Sequence, residues 1–421
     1  MALLTTVQKH EAWRELKVAF PMVLTCLLLI APCFGAERNS PDLKSFYTGH
    51  LWFQLRDAIA GSRAPVFYQG VMECAFNRLP RCQKILRVLL NSHPPVEEAV
   101  EAHRILASAY FREGKYKTAL EQADALLALQ PDDADMKGDR PLLTILSSFS
   151  DQVVTSKAHS VLNLDEHGLP IVINGAHATY WFDTGANLSV MSESEAKRLG
   201  LSIQAVETKA GVMTGAEVRF RVAVAESVQV GGFHLKNVAF LVFPDDQQPF
   251  TNLPENSRGL IGMPVLLALG KLSFGQDRRF EISPKKASVR IAGANLCFDG
   301  KNPVAQIKYE NRELGFTLDT GASNTDLYPP FAAAFPGLLR TGEKKSYKMQ
   351  GVGSTEELDS VVLPSVEFTI DGFAVALRPA TLLLKQSGES SKFFYGNLGV
   401  DLLMQPSKTT LDFTNMKLVA R

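Results

Sequence analysis

The 421-residue chain predicts a multidomain protein, an α-helical region followed by an all-β region built from two copies of one unit. Three observations predict it. Apolar residues recur at helical spacing from about residue 40 to 150 and then switch to the alternation of strands. The sequence Asp-Thr-Gly-Ala closes an apolar run twice, at 183–186 and at 319–322. Landmarks downstream of each copy also match: from 183 to Gly262 is 79 positions and from 319 to Gly399 is 80. Long internal similarity of this kind decides the fold class before any single motif does.

The length allows two or three domains. Charges balance, with 44 basic and 44 acidic residues and no basic stripe, so nucleic acid is not an expected partner. Residues 1–36 read as an export signal or an N-terminal anchor. Lys9, Arg14 and Lys17 precede an apolar run at 18–34, and Gly35 and Ala36 follow. Phe34 is bulky for a cut after Ala36, so retention as a membrane anchor through residues 18–34 is the alternative to release; Pro21 and Pro32 shorten the run as a spanning helix. The expected location is exported, periplasmic or extracellular. Cys26 and Cys33 in this segment lack a lipoprotein context. Cys74 and Cys82 are either a disulfide or two buried thiols, and Cys297 stands alone. Neither cysteine nor histidine spacing fits a zinc site, and no metal or cofactor is expected.

Residues 40–150 form the helical region. The pattern is clearest at 97–131, where Leu106, Ala107, Tyr110, Gly114, Tyr116, Ala119, Leu120, Ala123, Leu126 and Leu127 recur around a glycine turn. Small residues at 107 and 119 let two helices approach, and Gly114 turns the chain between them. This hairpin resembles a tetratricopeptide repeat, departing from it at His103 and Ala123. Residues 64–94 read as a degenerate earlier copy and 51–59 as a capping helix. One such hairpin cannot bury its own face, so neighbours should stack on it. The region is expected either to dock a protein partner or to serve as a spacer packed on the β region. Residues 131–141 read as a polar break, 142–149 as a last helix and 150–157 as a linker.

Residues 158–286 and 287–421 are the two β units. Short strands at 161–164, 170–173 and 179–182 lead to Asp183; 217–230 alternates, Gly231-Gly232 turns, and Leu260-Ile261-Gly262 follows. The second unit repeats this order, with strands leading to Asp319, alternation at 358–370, a turn at Asp371-Gly372, and Asn397-Leu398-Gly399.

On these motifs the two units resemble the lobes of pepsin-like and retroviral-type aspartic proteases. The apolar-Asp-Thr-Gly-Ala motif and the downstream pair of apolar residues with glycine occur twice in register. Asn397 departs from the second motif. The resemblance covers about residues 158–421 and implies a bilobal all-β acid-protease fold with pseudo-twofold symmetry, like a retroviral-type dimer fused into one chain. It implies an aspartic endopeptidase, with peptide or protein as substrate and a site complete within a monomer. Asp183 and Asp319 are the implied dyad. Two carboxylates held together cannot both ionise cheaply, so one keeps a proton, polarises the carbonyl and leaves the other to activate water.

Thr184 and Thr320 are implied braces across the interface. Gly185 and Gly321 let backbone amides approach the carboxylates. The alanine after each glycine replaces the Ser or Thr usual in pepsin-like enzymes, so the dyad is expected to work at less acidic pH. Glycine-rich loops with Gly211 and Gly215, and with Gly351 and Gly353, are candidate flaps over the cleft, Tyr347 preceding the second; ordinary surface hairpins are the alternative. Asp245-Asp246 and Glu356-Glu357 read as solvated acidic loops. A non-catalytic interaction protein on a protease-like scaffold is the competing function; the completeness of both motifs favours the enzyme.

Overall fold

The computed structural model describes residues 42–60, 63–205, 208–211, 217–248, 250–284, 293–351 and 354–421. The N-terminal segment 1–36, with Cys26 and Cys33, lies outside the described residues, as do the flap candidates Gly215 and Gly353.

Among the described residues the chain opens with seven helices: α1 Leu43–Thr48, α2 Trp52–Ile59, α3 Val66–Ala75, α4 Leu79–Asn91, α5 Val96–Arg112, α6 Tyr116–Leu129 and α7 Ala134–Ser147. Consecutive helices pack as hairpins, α3 on α4, α5 on α6 and α6 on α7. Ala102, Ala119 and Ala123 are fully buried, where small side chains bring the axes of α5 and α6 close. Gly114 turns between them at φ +69°, a conformation glycine adopts without the steric cost of a Cβ. Cys74 and Cys82 form a disulfide joining α3 to α4.

Helix α7 corrects the polar break expected at 131–141. The Asp133 carboxylate accepts the Met136 N–H and caps the helix, while also pairing with Arg104 of α5. Pro141 sits inside the helix and removes one backbone donor. Burial of Met136, Leu143 and Leu146 against the preceding helices offsets that loss. The expected linker is in part a strand: Val153–Ser156 pairs antiparallel with Phe233–Lys236 at a sheet edge. Its residues are mostly exposed, so they carry no alternation to read.

Among the described residues the β region contains two ten-stranded sheets and one of five strands. In the first half, Gly259–Ile261 lies between Ala176–Phe182, which it meets in parallel, and Ser189–Ser192, which it meets antiparallel. In the second half, Gly396–Leu398 lies in the same way between Arg312–Leu318 and Asp326–Leu327. Each three-strand crossing delivers one Asp-Thr-Gly-Ala turn. The five-stranded sheet joins the halves: Lys271–Phe274 from the first pairs antiparallel with Thr409–Asp412 from the second, and Ser273 and Thr410 share a hydroxyl contact of 2.9 Å.

Residues Asp42–Arg421 form one compact unit, so the helices are not a loosely tethered module. Arg112 of α5 is the deepest pin. Its guanidinium lies 4.3 Å from the Phe298 ring centroid, donates to the Cys74 carbonyl at 3.0 Å, and also bonds the Gly300 carbonyl. Burial pulls its pKa down to about 10. Asn77 donates to the Phe413 carbonyl at 3.0 Å, His50 meets Asp299 at 2.8 Å, and Gln152 donates to the Pro264 carbonyl at 2.9 Å. Among the described residues no helix is long and apolar enough to cross a membrane.

Candidate active site

The two Asp-Thr-Gly-Ala turns meet. Thr184 Oγ1 donates to the Leu318 carbonyl at 2.8 Å and accepts the Thr320 N–H at 3.0 Å. Thr320 Oγ1 donates to the Phe182 carbonyl at 2.8 Å and accepts the Thr184 N–H at 3.0 Å. Both threonines are fully buried. Each hydroxyl therefore spends its proton and a lone pair on the opposite turn, leaving no buried donor unpaired there.

That brace brings Asp183 and Asp319 together, each carboxyl lying against the glycine of the opposite turn. Asp183 Oδ1 accepts from the Gly185 and Ala186 N–H groups at 2.8 and 3.2 Å. Asp319 Oδ1 accepts from those of Gly321 and Ala322 at 2.9 and 3.0 Å. The glycines are required by space. A Cβ on Gly185 would stand 2.7 Å from Asp319 Cγ, and one on Gly321 would stand 2.4 Å from Asp183 Cγ. Burial, together with the Asp319 carboxylate beside it, pushes Asp183 well above the ordinary carboxylate range, outweighing the backbone donors that pull it down. The pair thus retains a proton where an isolated aspartate has lost it.

Beyond this frame the two walls differ. Leu260 and Asn397 occupy the same place in their crossings, opposite Trp181 and Thr317. Val190 and Asp326 stand opposite them on the antiparallel side. Trp181 Nε1 donates across to the Thr320 carbonyl at 2.6 Å. In the second half, Thr317 Oγ1 meets Asn397 Oδ1 at 2.7 Å, and Asn397 Nδ2 donates to Asp319 Oδ2 at 3.0 Å. Asp326 is buried, and burial raises its pKa to about 6 despite a hydrogen bond from Tyr347. The Tyr347 hydroxyl donates to Asp326 Oδ2 at 3.2 Å, while Oδ1 has no hydrogen-bond partner.

Both candidate flaps begin as hairpins. Thr208–Gly211 pairs with Glu217–Ala225, so Gly211 sits at the end of a strand. Glu343–Gly351 pairs with Ser354–Leu363 over its full length, placing Gly351 opposite Ser354. The second carries Tyr347, which bonds Asp326 and whose ring packs with Tyr328, Met349, Leu358 and Leu383. Of the acidic pair expected to be solvated, Asp246 is exposed, whereas Asp245 is half-buried; against burial, the Ser194 and Ser192 hydroxyls, followed by the Ser194 N–H at 3.1 Å, pull its pKa down. Among the described residues no group of His, Cys, Asp and Glu is placed to hold a metal ion.

Sequence reading missed Asp326 and the contact made by Asn397. The signals were there: Asn397 interrupts an apolar-apolar-Gly pattern, and Asp326 falls seven positions after Asp319 where Val190 falls seven after Asp183.

Residues 169–265 match a family model described as aspartyl protease. The match contains the first Asp-Thr-Gly-Ala turn and Gly262, and ends before the second unit. A search of curated proteins found no match. Among solved structures, one titled a retropepsin-like aspartic protease from Rickettsia conorii is similar to this chain at 16% identity. It covers 32% of this chain and 94% of its own, with a TM-score of 0.23.

Proposed function

We propose that the chain is an aspartic endopeptidase whose dyad is Asp183 and Asp319, set between two lobes related by a pseudo-twofold axis. The observation that carries this reading is the meeting of two carboxylates, distant in sequence, inside a closed ring of cross-lobe threonine bonds. One carboxylate takes a proton from water as the water oxygen bonds to the peptide carbon. The other gives its proton to the carbonyl oxygen. The diol then collapses: the first carboxylate passes its proton to the leaving nitrogen, and the second recovers its own as the C–N bond breaks. The substrate is an extended peptide or protein segment under the 343–363 hairpin. The Tyr347–Asp326 bond supports that hairpin as the covering one.

In this reading the helical region is a fixed platform that docks a protein partner or the substrate beyond the cleft. Its anchoring to residues 294–300 and 413 supports fixed placement rather than a removable pro-segment. The protein is exported, to the periplasm or the extracellular space, with residues 18–34 released or kept as an anchor. The Cys74–Cys82 disulfide supports an oxidising compartment.

A peptide library incubated with purified wild type and Asp183→Asn tests the activity. The wild type is expected to cleave at internal bonds and the variant to lose this activity. Equal cleavage by both, or by neither, refutes the reading; a pH–rate optimum below about 3, under the ordinary aspartate range, would overturn only the expectation that the alanine after each glycine moves the dyad to less acidic pH.

A further inference from the structure

Neither turn offers its carboxylate a side-chain hydroxyl, because alanine stands at 186 and at 322. Symmetric surroundings would leave the shared proton without a preferred side. The two sides are not alike. Asp319 Oδ2 receives the Asn397 amide at 3.0 Å, whereas Leu260 at the matching position of the first half has no polar side-chain atom to donate. The amide orientation follows from its other partner: Asn397 Oδ1 takes the Thr317 hydroxyl, which turns the NH₂ toward the carboxylate. Asn397 is 5% exposed, so this bond is screened little by solvent.

We infer that Asn397 is a positioning residue that makes the two carboxylates unequal, keeping the charge on Asp319 and the shared proton on Asp183. The inference rests on the dyad proposed above and assigns its roles. A hydrogen bond donated to a carboxylate favours its charged form over its protonated form. Asp319 is then the base that takes the proton of the attacking water, and Asp183 the acid that protonates the carbonyl oxygen. The direction of the Asp183 shift agrees. The lobe-2 wall thereby does with an amide, from the neighbouring strand, what a hydroxyl on the turn itself could have done.

Other titratable groups face the pair. Asp326 and Tyr328 lie on the same lobe, with Tyr347 of the hairpin and Asp401 beyond Asp326. Asp326, pushed up to about 6 by burial, lies close enough to bear on the profile, so the test is run in wild-type and in Asp326→Asn backgrounds.

The experiment is the pH profile of kcat/KM for wild type and Asn397→Leu, the latter installing the first lobe's residue. Loss of the amide is expected to move the acidic limb upward by about one pH unit, the worth of a hydrogen bond to a charged group. The shift should persist in the Asp326→Asn background. Asn397→Asp keeps the shape and replaces the donor by an acceptor, so it should move the limb further the same way. It also serves if the leucine variant does not fold. Superimposable acidic limbs overturn the inference while leaving the peptidase reading intact.

If the wild type cleaves nothing, the peptidase reading falls and carboxyl ¹³C titration of the full chain decides this one without turnover. Asp183 should be the member that keeps its proton to higher pH, and the difference between the two carboxyls should narrow in Asn397→Leu. A lower-titrating Asp183, or no change on substitution, overturns the inference.

Discussion

The two lobes share a frame and differ in its lining. Backbone crossings, threonine bonds and glycine contacts correspond position by position, yet where the first half has Trp181, Val190 and Leu260 the second has Thr317, Asp326 and Asn397. Four of the shared positions, Thr184, Gly185, Thr320 and Gly321, have neighbours across the interface, where a changed atom would strand a buried donor or collide with a carboxylate. At the differing positions the hydrogen bonds of Thr317, Asp326 and Asn397 stay within their own half, whereas Trp181 donates across to the Thr320 carbonyl. One wall can therefore become polar without disturbing the meeting of the turns.

The sharpest way to break this comparison is at the glycines. Gly185→Ala and Gly321→Ala should each lower kcat/KM by about 10²-fold or more while far-UV circular dichroism stays native, since the methyl displaces a group that must remain aligned. Gly321→Ala should be the worse, its Cβ approaching the opposite carboxyl to 2.4 Å against 2.7 Å. Equal mild effects would show that the turns are looser than the contacts indicate.

Asp326 sharpens it next. Burial raises this carboxyl to about 6 from its ordinary value of 3.8. Between those values the folded chain holds a proton that the unfolded chain has lost. Stability from this group is thus full below pH 3.8, falls as pH rises through about 6, and is level above. At pH 7 the cost is about 3 kcal/mol by linkage. Asp326→Asn should flatten that slope and raise the urea midpoint at pH 7. An unchanged slope between pH 4 and 6 would show that Asp326 is ionised without strain. Val190 in the matching place carries no such cost.

Thr184→Val and Thr320→Val should each destabilise by about 1–3 kcal/mol, because each removes a hydroxyl and leaves an N–H of the opposite turn unpaired. The double substitution should cost less than the sum if the ring acts as one unit, and additive urea midpoints would show two independent bonds. The smallest effect is expected at Tyr347→Phe. Loss of its bond to Asp326 should cost about 1 kcal/mol and raise KM more than it lowers kcat; an unchanged KM would separate the hairpin from substrate binding.

Much was readable in the chain because it repeats. Two Asp-Thr-Gly-Ala turns with glycines at matched distances point to two similar units without any knowledge of contacts, and helical periodicity marks where the β pattern begins. The second half of α7 was read as a helix, but its first half, 134–141, was misread as a polar break because Pro141 and the acidic run before it have poor local preference, which burial of Met136, Leu143 and Leu146 offsets. The edge strand at 153–156 was unreadable for the opposite reason, since exposed residues carry no pattern.

The sequence by itself determined that two aspartates stand in equivalent turns, because identical local chemistry at a fixed spacing can be seen in one dimension. It could not determine that they are unequal. Asn397 lies 78 positions from Asp319 and Tyr347 lies 21 from Asp326. Their effects depend on which strand lies beside which and on the face each side chain takes. Only the tertiary structure decided that, because pairing register and burial set the reach of an amide to a carboxylate.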